Sequence, residues 1–144
     1  MSIGTAVLGS LERRLPKLIN ARTHGLIDYC QAAFFFGMAL AWRKKNKKAA
    51  KAAWMTGAFV LAESLLTDYP LGAGKVLPFE THGRMDAGLG ASSFMIPGWF
   101  GFSGTAEAQV FRIHGFVEGM VVGMTDWDSG RAHTEEVASG FDAD

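Results

Sequence analysis

Three histidines in this chain stand beside a glycine and one helical turn before an acid. Thr23-His24-Gly25 leads to Asp28, Thr81-His82-Gly83 leads to Asp86, and His114-Gly115 leads to Glu118. Imidazole nitrogen with carboxylate oxygen is a donor set for zinc, iron or manganese. Residues at i and i+4 share a helix face, so one helix offers both groups of a pair to one point. The candidate metal ligands are His24, Asp28, His82, Asp86, His114 and Glu118, with Glu63 nearby. A haem between His24 and His82 is an alternative cofactor, because Gly25 and Gly83 would spare side-chain bulk where a flat macrocycle approaches. Chains of His and carboxylate also relay protons in membrane spans. A plainer use remains open, in which His–Asp pairs hydrogen-bond between helices and fix their packing. The spacing matches neither the Glu-x-x-His pairs of di-iron bundles nor the His-Glu-x-x-His of zinc proteases.

These residues recur in a fixed register. Thr23, His24, Gly25 and Asp28 lie 58 residues before Thr81, His82, Gly83 and Asp86, and Thr67-Asp68-Tyr69 lies 58 before Thr125-Asp126-Trp127. Ala33/Ala91, Phe36/Phe94, Ala50/Ala108 and Gly57/Gly115 keep the register without a gap. Such self-similarity reads as two copies of one unit, with halves at about 18–70 and 76–128. Glu63, Glu118 and His114 break the symmetry, since Val121, Val60 and Thr56 stand at the corresponding positions.

The elements that must position these groups are four long stretches with few charges, at about Leu18–Trp42, Ala49–Tyr69, Thr81–Phe102 and Ala106–Trp127. Each approaches the ~20 residues that cross a bilayer core. Pro97 is expected to kink the third or end it early, which membrane helices tolerate. Trp42, Trp54 and Trp99 fall towards one end of a four-helix arrangement, Tyr69 and Trp127 towards the other, as two interfacial belts would. Ile3, Val7, Leu8, Leu11, Leu15 and Leu18 form an amphipathic stretch suited to a membrane surface. The whole is expected to be all-α: four transmembrane helices in a bundle of two tandem hairpins, preceded by an interfacial helix. A soluble helical metal bundle is the alternative should the membrane premise fail. In either case the four helices form one domain over 1–128.

Composition agrees with a membrane protein only once its distribution is considered. The chain has 144 residues, 49% of them hydrophobic, no formal net charge and a mean hydropathy of +0.12. Charge gathers in a basic run from Arg43 to Lys51 and in an acidic tail over 129–144, expected to be mobile. The basic run favours a cytoplasmic linker between the first two spans, against Arg13, Arg14, Lys17 and Arg22 on the other side. No cleavable leader is expected at the N-terminus. Cys30 is the single cysteine and reads as a packing residue, so no internal disulfide can form. Seven glycines (Gly37, Gly57, Gly88, Gly90, Gly115, Gly119 and Gly123) are expected to let helices approach closely.

The function expected from these residues is that of a small integral protein of a plasma or bacterial inner membrane. It would carry an intramembrane His/carboxylate site for a transition metal (iron or zinc) or haem, in redox or hydrolytic chemistry. The alternative is a non-enzymatic membrane subunit or proton-relay protein held together by its His–Asp pairs. Expected partners are the lipid bilayer and either a second copy or a larger membrane complex. Nucleic acid is not expected, given one short basic patch without interleaved aromatics.

Overall fold

A computed structural model describes residues 15–130. The expected amphipathic helix over residues 3–18 and the acidic tail over 129–144 lie almost wholly outside the described residues. Five helices and two very short strands make up the rest, so the described chain is all-α in character.

Helix α1 (Ala21–Trp42) starts at Asn20, whose side chain accepts the Thr23 N–H at 2.9 Å. Its N-cap is therefore Asn20, and Thr23 lies in the first turn. The chain reverses over Arg43–Lys45, and Asn46 caps helix α2 (Lys47–Leu66) by accepting from Ala49 N at 3.1 Å. Helices α1 and α2 pack side by side. A Cβ on Gly57 would come 3.1 Å from the Ala32 carbonyl oxygen and 3.2 Å from Phe35 Cβ, so this crossing is close.

Helix α3 (Phe79–Ser93) and helix α5 (Ala106–Met124) form the second pair. Here a Cβ on Gly115 would meet the Gly90 carbonyl oxygen at 2.6 Å. Gly115 and Gly90 occupy the places that Gly57 and Ala32 hold 58 residues earlier. Only some of the expected glycines serve such approaches, because Gly37, Gly88 and Gly119 face open space.

The third expected span, Thr81–Phe102, is instead two helices. α3 ends at Ser93, and α4 (Ile96–Trp99) begins after a turn with Pro97 in its first turn. Proline has no N–H and clashes with a continuing helix, so it begins a new one. Fifteen residues of α3 reach about 22 Å, short of a bilayer core. Among the described residues, α1 is the one helix long and apolar enough by itself to cross a membrane.

The two pairs are joined crosswise. Strand β1 (Thr67–Asp68), which follows α2, runs parallel to β2 (Leu77–Pro78), which leads into α3. Ile19, which leads into α1, bridges in parallel to Thr125, which follows α5. The hydrogen bonds match as well: Val76 N donates to Leu66 O, and Leu18 N donates to Met124 O. The exit of each hairpin thus lies beside the approach to the other.

Apolar clusters close both ends of the interior. Phe35, Ala39, Ala53, Ile96, Phe102 and Phe111 fill the end below the basic turn, with Met38 and Trp42 against them. Ala21, Tyr69 and Phe79 fill the opposite end, with Trp127 against them. The second of the two expected aromatic belts is therefore not an outward belt. Tyr69 is fully buried, and Trp127 covers Gly83, whereas Trp54 and Trp99 do face outward. Between the two clusters the interior is polar.

Candidate metal centre

The polar layer contains His24, Asp28, His82 and Asp86, all buried, with one ligand atom from each lying within 4.8 Å of every other. His24 and Asp28 come from α1, His82 and Asp86 from α3. Their approach depends on Gly25 and Gly83. A Cβ on Gly25 would stand 2.6 Å from the Tyr69 ring, and one on Gly83 would stand 2.6 Å from the Trp127 ring. Each ring therefore lies directly on the helix backbone beside its histidine. Trp127 also meets the His24 ring edge-on, with centroids 5.1 Å apart.

The tautomers follow from hydrogen-bond accounting. Thr67 Oγ1 donates to the Glu63 carbonyl at 2.6 Å and lies 2.8 Å from His82 Nδ1. Thr125 Oγ1 donates to the Val121 carbonyl at 2.7 Å and lies 2.9 Å from His24 Nδ1. A hydroxyl has one proton, and each of these is committed to a carbonyl. Both threonines must accept from imidazole, so both histidines carry a proton on Nδ1. In the neutral ring, Nε2 is then a bare lone pair.

Those two Nε2 atoms face each other at 3.2 Å. Around them stand carboxylates: Asp86 Oδ2 is 3.0 Å from both nitrogens, Asp28 Oδ2 is 3.2 Å from His82, and Asp28 Oδ1 is 3.4 Å from His24. With both rings neutral, four electron-rich groups would converge on one point. Four ligands at about 2.0 Å in a tetrahedron stand about 3.3 Å apart, near the five distances above, while the donor set as a whole lies within 4.8 Å. Tyr69 holds the outer edge, donating to Asp28 Oδ2 at 3.3 Å.

The other expected ligands stand apart from this quartet. Glu63 is buried beside Asp86 but gives no atom to the quartet. His114 and Glu118 form their own pair farther along the interior, Nε2 to Oε2 3.5 Å. His114 repeats the same device: its Nδ1 is 2.8 Å from Ser93 Oγ, which donates to the Leu89 carbonyl at 2.9 Å. The haem alternative needs a flat slot between His24 and His82. That space holds two carboxylates, and the rings of Tyr69 and Trp127 take the faces over the glycines.

Thr67, Thr125 and Ser93 were not among the candidate residues, although they hold the imidazoles of His82, His24 and His114. The signal for the first two lay in the echo of Thr67-Asp68-Tyr69 by Thr125-Asp126-Trp127. No protein-family model, curated protein or solved structure matches the chain.

Proposed function

We propose that the chain is an integral membrane protein, built from two tandem helix hairpins in a four-helix bundle, that holds a divalent transition metal on His24, Asp28, His82 and Asp86. The observation that carries the metal reading is the pair of Nε2 atoms 3.2 Å apart, each on a ring whose Nδ1 is turned to a threonine, with two carboxylates around them. Buried anions without a counter-charge are costly, and a divalent cation would neutralise two aspartates at one point. Nitrogen and oxygen donors suit zinc or ferrous iron.

The membrane reading rests on where apolar and polar groups lie. Leu26, Phe34, Leu40, Phe59, Ile113 and Phe116 face outward from three helices, while His24, Asp28, Glu63, His82, Asp86 and Glu118 face inward. So large an outward apolar surface is foreign to a soluble monomer. Ionisable groups turned to the bundle interior are the membrane arrangement. The tandem reading rests on the crosswise strand pairs, the threonine–imidazole bonds and the glycine–aromatic contacts, each recurring 58 residues on.

Four protein donors leave no position for a substrate, so the site resembles closed structural centres more than hydrolytic ones. Redox cycling of iron inside a closed shell is compatible with it. The 3.0 Å contacts from Nε2 to Asp86 also have hydrogen-bond length, which favours a second reading. In that reading two imidazoliums and two aspartates form a neutral quartet that locks the hairpins together. Metal analysis of protein purified in detergent without chelators separates the two. One zinc or iron per chain, lost in His24→Ala/His82→Ala, is the expected result. A folded parent free of metal, still empty after incubation with zinc and ferrous iron, would establish the ion-pair quartet instead.

A further inference from the structure

The end of the molecule away from the metal quartet carries a cavity of about 510 Å³ between the start of α2 and the short helix α4. Lys47, Lys48 and Lys51 line it from α2, and Trp99 and Phe100 line it from the other side. Lys48 fixes one wall. Its Nζ donates to the Gly101 carbonyl at 3.4 Å, and Gly101 has φ +71°, a conformation in which a side chain would be strained. A Cβ on Gly101 would also stand 3.2 Å from that ammonium.

Helix chemistry alone would not put these three cations here. The N-terminal end of a helix carries partial positive charge, so acids are favoured in its opening turns and lysines are repelled. Helix α2 has no acid in its first turn. Arg43, Lys44 and Lys45 are different, because they follow the C-terminal end of α1, where cations are favoured. Among the described residues, Lys47, Lys48 and Lys51 form no ion pair. Glu107, at the start of α5, accepts from Asn46 Nδ2 at 3.2 Å and has Lys45 as its nearby cation. The repeat places uncharged Thr105, Ala106 and Gln109 at the corresponding positions, so the basic triad belongs to one hairpin alone. A locally unfavourable choice of residues gathered around one cavity marks a site rather than a packing need.

Three ammoniums around a cavity call for an anion, and the surface beside them says of what kind. From Lys51, the side chains of Trp54, Met55 and Phe59 follow at three- to four-residue spacing along one face of α2, all exposed. Trp99 is exposed on the other wall. An anion held at the lysines would therefore have an apolar stripe running away from it towards the middle of the molecule. We infer that the cavity holds the headgroup phosphate of an anionic phospholipid, with its acyl chains along Trp54, Met55 and Phe59. The inference rests on the membrane reading and is independent of the metal. It differs from the topological weight of the basic run, which depends on the number of charges and not on a cavity.

Native mass spectrometry of the full chain in detergent reads retained lipid directly, without the general surface potential of a bilayer. Dioleoyl phosphatidylglycerol and dioleoyl phosphatidylcholine share their chains and differ in net charge. One phosphatidylglycerol per chain should be retained at concentrations about tenfold below those needed for phosphatidylcholine. Lys47→Gln/Lys48→Gln/Lys51→Gln should erase that difference. Arg43→Gln/Lys44→Gln/Lys45→Gln removes as many charges from the neighbouring turn and should keep it. Equal loss in the two variants would overturn the inference in favour of a diffuse basic surface. Equal retention of both lipids by the parent, or retention of neither, would overturn it outright. Glycerol phosphate carries the phosphate without the chains and should not displace the lipid. Displacement at comparable concentrations would make the cavity a site for a soluble phosphate ester instead. A chain that stays in solution without detergent fails the membrane reading and the inference with it, whereas a chain that needs detergent but shows no lipid preference fails the inference alone.

Discussion

At the scale of single residues, the interior is organised by hydroxyls that have no proton to spare. Thr67, Ser93 and Thr125 each spend their hydroxyl proton on a main-chain carbonyl four residues back, and each then accepts from an imidazole Nδ1. This sets all three tautomers without a carboxylate behind the ring, the more familiar partner of a metal-bound histidine. Thr67→Val removes the acceptor at nearly constant volume and frees His82 to rotate or change tautomer. Metal affinity should fall about 10–100-fold, read by competition with a chromogenic chelator. Thr67→Ser should restore it, and Thr125→Val should match the loss through His24. A Thr67→Val protein that unfolds more easily yet holds metal as tightly as the parent would reduce Thr67 to a packing role. The histidines and aspartates were legible in the sequence because ionisable residues are rare in apolar stretches. The threonines were not, since a hydroxyl at a helix end normally reads as a cap or turn residue. Only the crosswise strands bring Thr67 to His82 and Thr125 to His24.

At the scale of elements, each helix pair closes on a glycine, with different tolerances. Gly57 sits against Ala32 and Phe35 with room at the limit of ordinary contact, whereas Gly115 sits against the Gly90 backbone with none. A methyl on Gly57 would press on a neighbouring carbonyl and a side chain that can give by a few tenths of an ångström. A methyl on Gly115 would have to push two helix backbones apart. Gly115→Ala should therefore cost about 1–3 kcal/mol, and Gly57→Ala clearly less. Thermal unfolding in detergent should show that order, with Gly88→Ala or Gly119→Ala near the parent because both face open space. The opposite order would mean that α1 and α2, rather than α3 and α5, form the tighter pair. The helical character of the four apolar runs was readable, but among the described residues only α1 is long and apolar enough by itself to cross a membrane, and the third run is two helices. The break after Ser93 was readable only in outline, from Pro97, because one proline is compatible with either a kink or two helices. The second aromatic belt failed for a physical reason. A ring at a helix end can face lipid or fold back over a glycine, and Gly25 and Gly83 drew Tyr69 and Trp127 inward.

At the scale of the whole molecule, apolar surface lies outside, polar groups lie inside, and charge is divided between two ends. Arg43, Lys44, Lys45, Lys47, Lys48 and Lys51 crowd the turn between α1 and α2, and Arg112 reaches towards that end by donating to the Ser103 carbonyl. At the other end, Lys17 donates to the Gly123 carbonyl and Lys75 to that of Tyr69. The quartet lies at this second end, near the starts of α1 and α3. In a bilayer, Lys45 and Lys75 must then face opposite aqueous compartments, and the denser basic end should be cytoplasmic. The prediction is tested in a Cys30→Ser background, with Lys45→Cys and Lys75→Cys made separately and labelled with a membrane-impermeant maleimide. In intact cells Lys75→Cys should label from outside, and Lys45→Cys only after permeabilisation. The reverse pattern would keep the span and invert the orientation, placing the quartet near the cytoplasmic face. Failure of both to require permeabilisation in sealed inside-out and right-side-out vesicles alike would sink the membrane reading. The outward apolar band would then have to be covered by another protein surface, and the quartet would belong to a soluble helical assembly.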